Sequence, residues 1–395
     1  MRIAVVNNFF PPRAGGSSHL SESLAKGYAE QGHEVLVLTA AYQNAPAVEE
    51  RDGMRIVRLP AWMLPQTRLA VSFDISFTSR PTLLRAVRKL LDEFKPDAIH
   101  QHGQFFDLTW ATALYARKRR VPVLLSIHTR LENPSASYAK VFRGLDAMMV
   151  KPFMRRSKPR LVVMDVLMDE YIRDRYRGAY SGLDYIPVGV DPTWVRGGDG
   201  RGVREKHGLG DAPVILSVGH IIPLRDRLML VEALPKVLAA VPDAKLLVVG
   251  QVYYPLFLER AKALGVDHAV ISTGPVAKRE IPDYLAAATV ECHEQGFGIG
   301  TASLEAMAGG VPVVVPARPD NFPGIGLEDG QNILLCAPGD VDAMAQRLIA
   351  GLTDPAVAKQ VGANGQDLID QHFTLQRVLE RHLEVLGTMV AARGR

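Results

Sequence analysis

Cysteine is nearly missing from this 395-residue chain: Cys292 and Cys336 are the only two. They cannot supply a disulfide framework or the clustered spacing of a metal site, and Cys292, inside a run that reads as a buried strand, is a small core residue. A cytoplasmic location fits that usage. No uninterrupted apolar run approaches the roughly twenty residues that a spanning helix needs. The opening stretch 1–6 runs at once into Asn7-Asn8, too short for the apolar centre of an export signal. Any membrane contact is therefore expected to be peripheral. Charge of one sign is also scarce: the net charge of +4 gives no warrant for nucleic-acid binding. The first strand–loop–helix lacks a Gly-x-Gly-x-x-Gly spacing, which weakens a dehydrogenase reading. No Asp-x-Asp pair stands at a suitable loop, so no metal and no bound cofactor are demanded.

Hydrophobic residues at 47% and charged residues at 22% describe an ordinary soluble globular protein. The length exceeds what one core usually organises and predicts two α/β domains. A strand over 3–6, a loop over 7–18, a helix over 20–31 and a strand over 34–39 read as the first β-α-β unit of a doubly wound sheet. Alternating strands and helices continue to 186, and the pattern restarts with a strand over 214–218. The expected domains are 1–192 and 193–374, with the helix 375–395 crossing back to the first. The glycine-rich stretch 197–202 reads as the hinge.

The chain is organised around 293–315, HEQGFGIGTASLEAMAGGVPVVV. Glycines crowd its first half, then a short run of helix formers ends at Gly309 and Gly310 before a strand. A loop feeding a helix N-terminus presents unpaired N–H groups and the positive end of the helix dipole, which suits phosphate. Glu294 and Glu305 flank that position. Carboxylates are poor phosphate ligands but good acceptors from sugar hydroxyls, so the combination suggests a nucleotide sugar.

This stretch resembles the signature of retaining glycosyltransferases of family 4, in which a glutamate, Gly-Phe-Gly, a second glutamate, Ala-Met-Ala, a glycine and Pro-Val-Val follow in order. Gly296, Phe297, Gly298, Glu305, Ala306, Met307, Ala308, Gly310, Pro312, Val313 and Val314 fit. The family keeps seven residues between its glutamates, whereas ten separate Glu294 from Glu305, which leaves Gln295 a rival for the first acidic position. Further matches are the paired glycines before the first helix, with Gly16 at the donor phosphate, and Pro187-Val188-Gly189-Val190-Asp191. Where the family places an arginine and a lysine on the donor diphosphate, this chain has His220 and Arg225. Gly274, Pro275 and Val276 match the loop that covers the nucleobase, and His128 matches a histidine close to the reacting sugar.

The resemblance implies two Rossmann-like domains facing each other across a cleft, the GT-B fold, and transfer of a hexosyl group from a nucleoside diphosphate sugar with retention. A UDP-sugar is the first expectation and GDP-mannose the second; the acceptor is a hydroxyl of a glycan, lipid or small metabolite. The implied roles are His128, Glu294 and Arg225 in catalysis, and Gly16, His220, Arg225, Gly274, Pro275, Val276, Gly298, Ile299, Gly300, Thr301 and Glu305 in donor binding. A nucleotide-sugar epimerase and a silent sugar-nucleotide-binding subunit are the alternatives.

Three other stretches stay open on sequence. His100 to Gly103 suggests metal at first sight, but histidines at a strand end without carboxylate partners favour packing or hydroxyl binding. The basic runs 117–120 and 151–160, the latter interleaved with Phe153 and Met154, are either solvated helix ends or a surface for an anionic acceptor or lipid. Residues 56–80 lack a clean period and read as an excursion on the acceptor side or a flap closing the core.

Overall fold

A computed structural model describes every residue except 14, 64–75, 133–135, 224, 226, 294–297 and 394–395. The chain forms two compact units, Met1–Gly189 with Leu375–Arg395, and Val190–Thr374.

In chain order the first unit contains β1 (Arg2–Val6), β2 (Glu34–Ala40), β3 (Val48–Arg51), β4 (Met54–Leu59), β5 (Trp62–Met63), β6 (Ser76–Phe77), β7 (Ala98–His102), β8 (Val123–Ser126), β9 (Arg160–Val163) and β10 (Gly182–Tyr185). Eight of these make one sheet in the order β10-β9-β8-β7-β1-β2-β4-β3, and β5 and β6 pair separately. All the sheet's neighbours run parallel except β3 on β4. The sequence reading missed β3 and β4, because a hairpin turning on Asp52-Gly53 interrupts the β-α alternation that it followed.

Strand side chains alternate faces, and both faces here are covered. Ile3, Val5, Val35 and Val37 pack with Leu24 and Tyr28 of the helix Gly16–Glu30, together with Val378, Leu379, Val385 and Leu386 of the helix Leu375–Arg393. Ala4, Val6, Leu36 and Leu38 face Val87, Leu91 and Leu108 on the other side. The last helix therefore completes the first unit's core.

The second unit contains β11 (Val214–Val218), β12 (Lys245–Val249), β13 (Val270–Ser272), β14 (Val290–Cys292), β15 (Val313–Val315) and β16 (Leu334–Leu335). They form an all-parallel sheet in the order β13-β12-β11-β14-β15-β16. Helix Leu228–Ala240 supplies Leu230, Val231, Leu234 and Val237 to a core shared with Leu246, Val248, Val290 and Val314.

The stretch 197–202 is not a hinge. The units divide at Gly189/Val190, and Gly198 and Gly200 lie inside the second. A Cβ on Gly198 would stand 2.2 Å from the Pro282 carbonyl oxygen, and one on Gly200 would stand 2.6 Å from the Ala287 nitrogen. These glycines let two backbones touch.

Candidate active site

In a doubly wound sheet the crevice for a ligand opens at the carboxyl ends of the strands where the chain order reverses. In the second unit that point lies between β11 and β14. The loop leaving β11 carries Gly219, His220 and Arg225, and the loop leaving β14 carries His293 and then Gly298 to Gly300. Two glycines make this edge possible. Gly250, at φ 140°, has the Gly219 carbonyl oxygen 2.4 Å from where a Cβ would be, so a side chain there would push the β11 loop away.

His220 is exposed, and its Nδ1 accepts a hydrogen bond from the Gln251 backbone N–H at 3.0 Å. The neutral ring then carries its proton on Nε2. Partial desolvation by the loop around it, with the charges of Arg225 and Arg227, holds its pKa below the ordinary histidine value. His220 is thus a neutral donor through Nε2–H. Arg225 sits in a tight turn with Ile222, joined by backbone bonds of 2.8 and 3.3 Å, and its side chain is exposed.

Helix Thr301–Ala308 begins two residues before Ser303, with Gly300 at the cap position; among the described residues no side chain caps it, and its first turn holds no acidic residue. Gly298, Ile299 and Gly300 are buried and Thr301 is exposed, and a helix end of this kind, with free N–H groups and the positive end of the dipole, suits an anion. Glu305 lies one turn in and is half-buried; burial pushes its carboxyl up to about 7, against the opposing pull of Lys278. Gly274, at φ 70°, accepts from the Gly250 N–H at 3.0 Å and from the Thr273 hydroxyl at 2.8 Å. Pro275 is exposed and Val276 half-buried beside it. Glu294 and its rival Gln295 fall outside the described residues.

Sequence reasoning missed three residues beneath these loops. Arg227 is fully buried, Glu291 on β14 is fully buried, and His293 is almost so. A glutamate flanked by Val290 and Cys292, and an arginine beginning an otherwise apolar helix, were the available signals.

In the first unit the order reverses between β1 and β7. Gly15, at φ 152°, precedes the helix Gly16–Glu30, which starts four residues earlier than its periodicity suggests. No atom lies within 4 Å of a Cβ built on Gly16, so the space over that residue is open. His100 and His102 belong to β7 and are buried. The Tyr28 hydroxyl lies 3.0 Å from His100 Nδ1, and His100 Nε2 lies 2.8 Å from the Ser126 hydroxyl. His128, just past β8, places Nε2 at 2.9 Å from His102 Nδ1. His382, from the last helix, bonds its Nδ1 to the Val378 carbonyl at 2.7 Å and stands ring to ring with His100 at 5.2 Å. Burial depresses the pKa of all four, to about 4 for His128 and His382. Among the described residues no group of three His, Cys, Asp or Glu side chains could hold a metal ion. The histidines instead form a neutral hydrogen-bonded and stacked ladder ending at His128.

The basic run 151–160 divides. Arg155, Arg156 and Lys158 are exposed, whereas Met154 is buried and Phe153 stacks on Trp110 at 5.6 Å. Exposed apolar surface lies upstream, at Val141, Met148 and Met149, among Lys140 and Arg143. No helix among the described residues is long and apolar enough to cross a membrane.

Residues 15–189 match the description "Glycosyl transferase 4-like domain", and residues 212–354 match "Glycosyl transferases group 1". The GDP-mannose-dependent alpha-(1-6)-phosphatidylinositol monomannoside mannosyltransferase of Mycolicibacterium smegmatis is 30% identical over 384 residues, covering 92% of each chain. Among solved structures, sucrose-phosphate synthase from Thermosynechococcus elongatus superimposes with a TM-score of 0.77 at 21% identity over 99% of both chains. Anabaena HepE in complex with UDP-glucose gives 0.71 at 18% identity over 98% of this chain and all of its own. The fold is the GT-B fold of these glycosyltransferases. With sequence identity running through both units and over nine-tenths of the mycobacterial enzyme, the chain belongs to the 4-like and group 1 glycosyltransferases and uses a nucleotide sugar.

Proposed function

We propose that the protein transfers a mannosyl group, with retention, from GDP-mannose to a hydroxyl of a phosphoinositide-type glycolipid at the cytoplasmic face of a membrane. The observation that carries this reading is the 30% identity across both units to an enzyme named for that donor and that class of acceptor. It moves the donor from the UDP-sugar expected first to GDP-mannose.

The chemistry is electrostatic. As the bond from the sugar's anomeric carbon to the diphosphate oxygen breaks, its electron pair stays on that oxygen. His220 Nε2–H, the Arg225 guanidinium and the N–H groups opening helix Thr301–Ala308 stabilise the charge that develops. Fixed donors of this kind take the place of a divalent cation. The acceptor oxygen bonds to the anomeric carbon from the face the diphosphate leaves, and its proton passes to the departing oxygen. Glu305 accepts from the ribose hydroxyls, Gly274 to Val276 cover the base, and Glu294 or Gln295 holds the transferred sugar. His128 is assigned to the transferred sugar. The exposed Val141, Met148 and Met149, with Lys140 and Arg143 close by in sequence, suit contact with anionic lipid.

The test supplies purified protein with GDP-mannose, UDP-glucose or ADP-glucose, phosphatidylinositol mannoside vesicles and excess EDTA. Mannosylated lipid from GDP-mannose is expected, with an α linkage. Transfer from UDP-glucose alone would overturn the donor assignment.

A further inference from the structure

Beneath the β11 loop lies a sealed polar cluster that no step above uses. Arg227 has no exposed surface and stands at φ 54°, a left-handed conformation uncommon for residues other than glycine. Its guanidinium fork is spread over the loop from below. Nη1 donates to the Arg225 carbonyl at 2.8 Å and to the His220 carbonyl at 3.4 Å; Nη2 reaches the Val218 carbonyl at 3.4 Å and His293 Nδ1 at 3.0 Å; Nε reaches the Ser217 hydroxyl at 3.3 Å. Two of these carbonyls belong to His220 and Arg225, and His293 begins the loop that leads to helix Thr301–Ala308. One side chain therefore touches both the loop after β11 and the residue that follows β14.

We propose that Arg227 is a positioning residue for the donor diphosphate: its buried guanidinium fixes the backbone carbonyls of Val218, His220 and Arg225 and the His293 ring, and through them the side chains of His220 and Arg225. The proposal rests on the nucleotide-sugar reading of this edge. A planar fork with five donors can bind several carbonyls and a ring nitrogen at once, which an ammonium cannot.

A buried carboxyl lies in the same cluster. Glu291 on β14 is fully buried, and its carboxyl stands 4.0 Å from His293 Nδ1. Burial pushes it up to about 8, against the pull of a hydrogen bond from Ser303 of helix Thr301–Ala308 and of the Arg227 charge, while Glu305 raises it further.

The experiment titrates the full-length protein and its Arg227→Met and Arg227→Lys variants with GDP and, separately, with guanosine, following heat and Tm. UDP and uridine serve as a second probe pair. The diphosphate depends on the Arg227-held loops, whereas the nucleoside depends on Gly274–Val276 and Glu305. In Arg227→Met, GDP binding should weaken about tenfold or more while guanosine binding holds within about twofold. Arg227→Lys keeps the charge but not the fork, so it should fold and still bind GDP about threefold or more weakly. Should Arg227→Met fail to fold, the lysine variant alone decides. Wild-type GDP affinity in both variants, or equal losses for GDP and guanosine, would overturn the proposal while leaving the nucleotide-sugar reading intact. A wild-type protein that binds neither GDP nor UDP would remove that reading, and this proposal with it.

Discussion

His128 Nε2 stands 2.9 Å from His102 Nδ1, and the two rings stack with 11° between their planes. Both rings are neutral, since burial lowers both pKa values. One of the two nitrogens must donate, so the pair shares a single proton in one of two tautomers. His128 is thereby held by a partner within β7 rather than by chance packing.

If His128 contacts the transferred sugar, His128→Ala removes a group that acts in the transition state. The account predicts kcat lower by about ten- to a hundredfold, with GDP affinity within about twofold of wild type. Steady-state kinetics beside GDP titration checks this. EDTA should leave the activity unchanged.

The histidine ladder sets an acid limit on the first unit. His100, His102, His128 and His382 have pKa values depressed in the folded state, so the unfolded chain binds more protons between the ordinary histidine value of about 6.5 and about 4. Stability is present above pH 6.5 and is lost as pH falls through that window. His382→Gln should flatten the loss by about one proton's worth, read as the slope of unfolding free energy against pH.

Arg225→Ala should weaken GDP binding by roughly ten- to a hundredfold, the worth of a charge-assisted bond of about 1.5–3 kcal/mol. Its side chain is exposed, so Tm should barely move. Unchanged affinity in the folded variant would remove Arg225 from the diphosphate site.

Glu305 gives a pH signature. Its carboxyl, raised to about 7, must be ionised to accept from two ribose hydroxyls. Guanosine affinity should therefore rise from pH 6 to about 8 and level off above. Glu305→Gln should bind guanosine weakly at every pH. Guanosine is the right probe because it lacks a titrating phosphate.

The α/β alternation was legible because parallel strands buried on both faces are continuous apolar runs, as in 214–218 and 245–249. The glycine loops were legible because positive φ and close approach leave glycine behind, as at Gly219 and Gly274. The β3–β4 hairpin was not, because its outer strand, Val48–Arg51, has no apolar face to announce it. The role of 197–202 was misread because glycines that permit backbone contact look the same in sequence as glycines that permit bending. Arg227, Glu291 and His293 could not be joined by spacing, since the sheet brings together residues sixty positions apart.

The most direct measurement is a calorimetric titration of the intact wild-type protein with GDP in EDTA-containing buffer. The account predicts one site per chain, formed by fixed cations and backbone N–H groups without any divalent ion, and loss of that binding in Arg225→Ala. No binding of GDP or UDP, or binding that appears only after magnesium or manganese is added, would contradict it.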